Sequence, residues 1–483
     1  MPRSFVGGAL AAMVALASPL YAEQQTISPA EAVLAAVEEP ALADLAREAL
    51  ERNPALAASR ARARAVEKRA PQVAALPDPV AGLTAFLLSP ETRVGPQQVM
   101  VSLGQRFPWF GKLDLRERSA LQAAATARAE AETQALELVT EVRSLAYELA
   151  FLDVWEEVLR TDHETLERYE ELARTRYAAG IGLGQAVIKI QAEITKDDSR
   201  LLMIADRRAT VSARLNALRD RPAGTELPEL DLPEPPADLD PDAALADLRR
   251  LAVEARPEIA ARDAEIARAE TDTELARLEH RPDVTVGLSY TVVGDREDDA
   301  GRANPPEGNG DDILGLSASI NLPIWSQRID AGIEEAVERR RAAEASRRGV
   351  VAEIERSLGE LTERLELTWR QLRLLDDVLA IQAEESLSSA EAAYGAGNLN
   401  ALDLLDAERV LLDVRTSTAR TRADWAVALA RLEGAVGRPV DLTPSEPAEM
   451  ELPEVAPDTR MSPDEMDDGK KKDEMDGMEG VAQ

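Results

Sequence analysis

The sequence predicts a mainly α protein with a small β part: two related halves, each joining a strand pair to coiled-coil-like rods. Three observations carry that expectation. The first is an internal repeat. Tyr177-Ala178-Ala179-Gly180 and Leu215 to Pro222 (LNALRDRP) recur 217 residues later as Tyr394-Gly395-Ala396-Gly397 and Leu432 to Pro439 (LEGAVGRP). Upstream, Arg52-Asn53-Pro54 is echoed by Ala255-Arg256-Pro257, and Phe107-Pro108-Trp109 by Leu322-Pro323-Ile324-Trp325. A unit duplicated in this way cannot bury its apolar stripe alone. The second is rod length: residues 111–179 and 325–393 are each 69 residues without proline, or about 100 Å of helix at 1.5 Å per residue. The third is a change of apolar spacing to strand-like alternation around residues 80–107 and 284–322.

The elements follow in order. Residues 1–22 read as a secretory signal: Arg3 is the n-region charge, Phe5 to Leu16 a short apolar run, and Leu20-Tyr21-Ala22 a cleavage site. A buried apolar helix is the other reading. No other segment reaches the 18 or so apolar residues of a spanning helix. The first half occupies residues 23–222. Ser28-Pro29-Ala30-Glu31 starts a helix over 29–53, with Ser28 as N-cap and Glu31 at N3. A second helix covers 54–76 and ends before Pro77 and Pro79. Val80 to Leu88 and Val99 to Phe107 read as a hairpin. The long rod then carries Leu138, Val142, Leu145, Leu149, Leu152, Trp155 and Leu159 in steps of four and three.

Residues 223–255 form an acidic, proline-rich linker with a short helix. The second half, 256–440, repeats the plan. Val284, Val286, Leu288 and Tyr290 alternate with Thr285, Gly287 and Ser289; Leu314, Leu316, Ala318 and Ile320 alternate with Gly315, Ser317 and Ser319. The loop from Gly294 to Asp312 has the composition of a solvated turn. Its rod carries Ile354, Leu358, Leu361, Leu365, Thr368, Leu372, Leu375 and Leu379. The return helices, 182–221 and 399–438, are 40 residues each, and the helices 256–281 and 54–76 are 26 and 23. A 40-residue piece joined to either shorter piece nearly matches a 69-residue rod, the requirement for a closed wall of helices. Residues 441–483 have the composition of a disordered tail.

Composition removes several functions. The chain has no cysteine, which excludes disulfides, thiolate metal sites, a cysteine nucleophile and a lipidated N-terminal cysteine. The net charge is -33, so nucleic acid is not an expected partner. Much of that charge lies in two segments: residues 441–483 hold 14 acids against 4 bases, and residues 223–248 hold 8 acids and no base. His163 and His280 lie in separate helices and make no ligand set. No phosphate loop, nucleophile elbow or paired catalytic acid and base is visible, so neither enzyme nor cofactor is expected. Met450, Met461, Met466, Met475 and Met478 fall in the tail. Thioethers suit Cu(I), but incidental methionines in a disordered segment are the simpler reading.

The strands suggest a membrane. Each is about the length of a tilted membrane strand. Four cannot close a barrel, and an open sheet in lipid would leave unpaired edges. Several copies would then share one barrel. A soluble sheet capping a helical bundle is the competing arrangement.

The duplicated layout, the Asn53-Pro54 opening, the Gln105-Arg106-Phe107-Pro108-Trp109-Phe110-Gly111-Lys112 stretch and the two Tyr-x-x-Gly turns, the second followed by Asp403-Leu404-Leu405-Asp406-Ala407, together resemble the TolC family of outer-membrane efflux ducts over residues 40–440. The Gln105 to Lys112 stretch looks most like its heavy-metal-efflux branch. The resemblance implies a homotrimer with a twelve-stranded barrel in the outer membrane and a periplasmic helical tunnel. Its implied partners are outer-membrane lipid, a periplasmic adaptor and an inner-membrane pump. It further implies passive conduction of cargo such as metal cations or small toxic compounds. Gly180, Ile181, Gly182 and Leu183, with Gly397, Asn398 and Leu399, would be the hairpin tips that the adaptor grips, beyond their capping role. Asp403 and Asp406, three apart on one helix face, would ring the closed tunnel end; a solvated helix face is the alternative. Ala186 stands where an aspartate can occur, which leaves that network incomplete in the first half. Phe107, Trp109, Phe110 and Trp325 sit where strand becomes helix, as interface aromatics or as ordinary packing. A periplasmic coiled-coil scaffold with no pore is the rival function.

Overall fold

The computed structural model describes residues 28–239 and 241–441. The expected signal segment and nearly all of the acidic, methionine-containing tail lie outside them. Ser28 forms the anticipated capping box with Glu31 at the start of α1 (Pro29–Ala35). The single helix expected over 29–53 is two: Glu38-Glu39 interrupts it, and Pro40 opens α2 (Pro40–Arg52). Then come α3 (Pro54–Glu67) and α4 (Arg69–Ala74), separated by Lys68. Strands β1 (Val80–Ala85), a two-residue β2 (Glu91–Thr92) and β3 (Gly95–Phe107) lead into α5 (Lys112–Ala178) and α6 (Gly184–Leu218).

The linker is not free. Leu227, Leu230 and Leu232 pack against the helical core, and Trp369 donates Nε1–H to the Pro236 carbonyl at 2.9 Å. Spaced leucines among the acids anchor this strap, a pattern its proline content obscures. It leads to α7 (Pro241–Ala255), and the second half follows: α8 (Pro257–Arg277), β4 (Val284–Val293), α9 (Asp299–Ala303), β5 (Ile313–Ile320) and α10 (Ser326–Leu374). The expected unbroken second rod is interrupted by a π-helical segment, Leu375–Leu379, before α11 (Ala380–Gly395). Leu375, Leu379, Ala383 and Leu387 step by four three times in succession. An α-helix drifts about 40° per such step, and the wider π turn takes up the drift. The chain returns through α12 (Ala401–Val436).

The composite rods are joined as pairs. Asn53 caps α3 through Leu56 N–H and donates from Nδ2 to the Leu218 carbonyl at the end of α6 (3.0 Å). In the second half Arg256, at the start of α8, reaches the Ala435 carbonyl near the end of α12 (3.1 Å). Asn53-Pro54 and Arg256-Pro257 therefore mark end-to-end splices, so α6 continues into α3 and α12 into α8. Proline at the first helical position needs no hydrogen-bond donor there, and the residue before it tidies the other helix's orphan carbonyls.

The main apolar core runs from α1 and α2 through the middle of α5, α10 and α12, including Val139, Val142, Leu149, Leu358, Leu365 and Leu432. A buried ion pair, Arg143 to Glu433 at 2.5 Å, crosses it. A second, smaller apolar cluster near the turns holds Leu166, Tyr169, Ala186, Ile190, Tyr394, Leu404 and Leu405. Ala186 is buried there against the second hairpin, which accounts for its small side chain.

Candidate functional site

The sheet has the order β1-β3-β4-β5, every pairing antiparallel, with β2 clipped to the end of β3. Register makes two unlike faces. Opposed residues share a face, and one face carries the rows Leu83–Val101–Tyr290–Leu314 and Ala81–Leu103–Leu288–Leu316. The other carries Gly82–Ser102–Ser289–Gly315 and Val80–Gly104–Gly287–Ser317. The apolar face is bare: Leu83 is 74% exposed and Leu316 80%. Both outer edges, on β1 and β5, have no strand partner among the described residues. Water does not tolerate such a face with two free edges well, and lipid does not tolerate the edges.

Where strands become helices, one carboxylate gathers the chain. Asp283 Oδ1 accepts from Lys112 Nζ (3.0 Å) and the Trp109 amide (3.0 Å), and Oδ2 accepts from Arg106 Nη2 (2.5 Å). Lys112 is only 2% exposed and also donates to the Arg281 carbonyl at 3.1 Å. Gly111, in the left-handed region at φ 86°, turns β3 into α5 just before it. Phe107, Phe110 and Trp325 are exposed at this junction, whereas Trp109 is half-buried, edge-on to Phe110 and beneath the Arg281 guanidinium. The sequence motif thus divides into exposed aromatics and a packed clamp.

The two hairpin tips share one geometry. Gly180 and Gly397 both adopt left-handed φ (76° and 80°). Ile181 N–H returns to the Arg176 carbonyl (3.1 Å) and Asn398 N–H to the Ala393 carbonyl (2.9 Å), the six-to-one bond that closes a glycine-capped helix. Arg176 ties the tips together: its guanidinium lies 4.1 Å from the Tyr394 ring centre, and Nη2 donates to the Tyr394 and Gly395 carbonyls. Ile181 and Leu183 project into water, beside a groove of about 760 Å³ that also meets Gly182, Gly397, Asn398 and Leu399. Asp403 and Asp406 are exposed on the first turns of α12; Asp403 accepts from Asn400 Nδ2 at 2.6 Å, and Asn400 itself caps the helix.

Between the two apolar clusters lies a group that sequence reading passed over. Asp162 of α5 is 6% exposed, Asp197 of α6 1%, and Glu408 of α12 6%. They share a small cavity of about 140 Å³ with Glu193, Lys196, Arg200 and Arg409. The signal was present: after Leu159 the α5 stripe continues 162, 166, 169, 173, so an aspartate occupies a core position. Glu193 and Asp197 do the same on α6, between Ile190 and Ile204. Burial, then the hydrogen bond shared with Glu408, pushes Asp162 up to about 7; burial, then Asp162, pushes Asp197 up to about 7.

The model of the outer membrane efflux protein family matches residues 45–219 and 248–438. The chain belongs to that family. This efflux protein is similar to the pyoverdine export outer membrane protein OpmQ of Pseudomonas aeruginosa, 24% identical over 345 residues, spanning 70% of this chain and 68% of that one. Its fold is similar to that of the outer-membrane channel OprN (TM-score 0.69, 18% identity, 90% of this chain and 98% of that one). VceC of Vibrio cholerae is similar too (TM-score 0.66, 21% identity, 83% and 97%). The efflux protein is therefore a non-enzymatic outer-membrane channel protein with a large periplasmic helical part. No described helix is long and apolar enough to cross a membrane; the sheet carries the bare apolar face.

Proposed function

We propose that three copies of this chain pool their sheets into one barrel and form the exit duct of a tripartite efflux system. One observation carries the reading: a four-stranded sheet, bare and apolar on one face, Gly- and Ser-lined on the other, with both edges unpaired. Such a sheet is stable in lipid only if its edges meet those of other copies. The Gly and Ser rows would then line the aqueous path. Conduction is passive; a periplasmic adaptor would grip the tips around Gly180–Leu183 and Gly397–Leu399, and an inner-membrane pump would supply the energy. The exposed aromatics Phe107, Phe110 and Trp325 would rest at the headgroup level. A pore-free scaffold would have no use for the two-faced sheet.

Cargo choice belongs to the pump in this reading. The Gln105 to Lys112 stretch resembles a heavy-metal-efflux branch, yet Arg106, Trp109 and Lys112 are engaged with Asp283. Their structural work accounts for them without reference to any metal cargo.

The test is the mass of the detergent-purified protein and its conductance in a planar bilayer. A trimer with discrete conductance steps is expected; a detergent-independent monomer without conductance overturns the proposal. At the tunnel end, six carboxylates from Asp403 and Asp406 of three chains would repel one another and attract cations. Asp403→Ala with Asp406→Ala should lower conductance, because the repulsion that opposes closure is gone, and weaken block by divalent cations. Unchanged values would remove these residues from the gate.

A further inference from the structure

The carboxylates between the two apolar clusters have no assigned role. We propose that Asp162 and Asp197, proton-loaded and facing Glu408, form a latch that holds the tip end of α12 against α5 and α6.

The argument begins with placement. Each of the three acids takes a core position on its own helix, where a coiled-coil seam would carry leucine. Apolar packing lies to either side of them, with Leu159 and Leu412 toward the main core and Leu166 and Leu405 toward the tip. The acids interrupt that packing where three helices meet. Their Asp162 Oδ1, Asp197 Oδ2 and Glu408 Oε2 atoms are buried with no hydrogen-bond partner among protein donors. Three ionised carboxylates at this depth would repel one another at large cost. Protons held on Asp162 and Asp197 reduce the repulsion and supply the missing donors.

The surrounding charges do not supply enough cation. On α6, Arg200 pairs with Asp197 (2.9 Å), and Lys196 pairs with Glu193 (2.7 Å). On α12, Arg409 also turns to Glu193, and Asp413 lines the cavity edge. On α5, His163 points its Nδ1 toward Asp198 of α6 at 3.8 Å and its Nε2 toward Glu167 at 3.6 Å. Tyr169 of α5 donates to Glu391 of α11 at 2.5 Å. Two of the three cations thus serve Glu193, and one guanidinium faces the trio. No described residue group is arranged to hold a metal ion. The proton is the ligand that fits.

A pivot accompanies the latch. The π segment 375–379 divides the second rod, while α5, its counterpart in the first half, runs unbroken for 67 residues. Arg422 of α12 bridges to Asp376 within that segment at 3.4 Å. α11 can therefore bend away from α10 at this segment, and the tip end of α12, continuous over Ala401–Val436, flexes with it once the latch loses its protons.

The direction follows from linkage. Asp162 and Asp197 rise from 3.8 to about 7 in the packed state, so packing takes up protons. Contact among the three helices is tightest near pH 4 and loosens as pH rises toward 7; further rise adds nothing. Acid closes the latch, and neutrality releases it.

Hydrogen exchange of the detergent-solubilised full chain, corrected for intrinsic rates, tests this without requiring conduction. It therefore separates failure of the latch from failure of the duct reading. Amides in 193–200 and 405–412 should lose protection by about tenfold or more between pH 5.5 and 7.5, since each pKa unit of difference carries a tenfold ratio. Asp162→Asn and Glu408→Gln, made separately, should each flatten that profile. Imidazole ordinarily titrates near neutrality, so His163→Gln serves as a control and should leave the profile in place. A flat wild-type profile overturns the latch. So do carboxamide variants that keep the full pH response, or a response abolished by His163→Gln alone.

Discussion

Single residues here do work that their type alone would not suggest. Lys112 is a fully buried ammonium whose partners come from the segment ahead of β4, so it locks the start of α5 to the second half of the chain. Losing its contacts to Asp283 and the Arg281 carbonyl costs up to about 3–5 kcal/mol, although Arg106 and the Trp109 amide still hold Asp283. Lys112→Met should therefore lower the heat- or urea-dissociation midpoint markedly. Adding Asp283→Asn to that variant should not recover the loss, because Arg106 then loses its carboxylate partner. The residue motif around Lys112 was legible as a motif. Its division into clamp and exposed aromatics was not, because Asp283 lies 171 positions away.

At the scale of elements, period and register decide most of the outcome. The strands announce themselves by alternation, and the pairing converts that alternation into continuous apolar and Gly/Ser rows. If the apolar rows face lipid, a charge there is costly, about 2–4 kcal/mol for an arginine at mid-depth. Leu288→Arg should reduce assembly in the membrane fraction, whereas Ser102→Arg, on the opposite face, should assemble and alter conductance or ion selectivity. Equal behaviour of the two variants would contradict the assignment of faces. The rods were equally readable from their steps of four and three. The π segment was hidden in plain view: three consecutive steps of four forecast a drift that a continuous α-helix cannot absorb. The acid cluster escaped notice for a related reason. Each acid interrupts a stripe on a different helix, and only their convergence gives the interruption meaning.

For the whole molecule, the open sheet edges on β1 and β5 are the decisive feature. They leave the chain incomplete in lipid, and the proposed remedy is β1 of one copy meeting β5 of the next. The chain has no cysteine, so engineered ones report without background. A cysteine at Thr84 in β1 and another at Ile313 in β5 of the same chain, treated in membranes with a short bifunctional maleimide, should give dimers and trimers on denaturing gels. Either cysteine alone should give neither. Only monomers from the double variant would exclude this edge-to-edge meeting.

Local pattern sufficed for what is local. Helix and strand periods, glycine-capped turns, proline-marked splices and the duplication itself depend on residues close in sequence, and the chain carries them openly. The tertiary structure alone decided which ends abut, since two return helices of equal length could have joined either shorter helix. It also decided that the acidic linker is strapped down and that three carboxylates from three helices share one cavity. Those outcomes depend on contacts between residues far apart in the chain, where burial and charge are set by neighbours that no single segment contains.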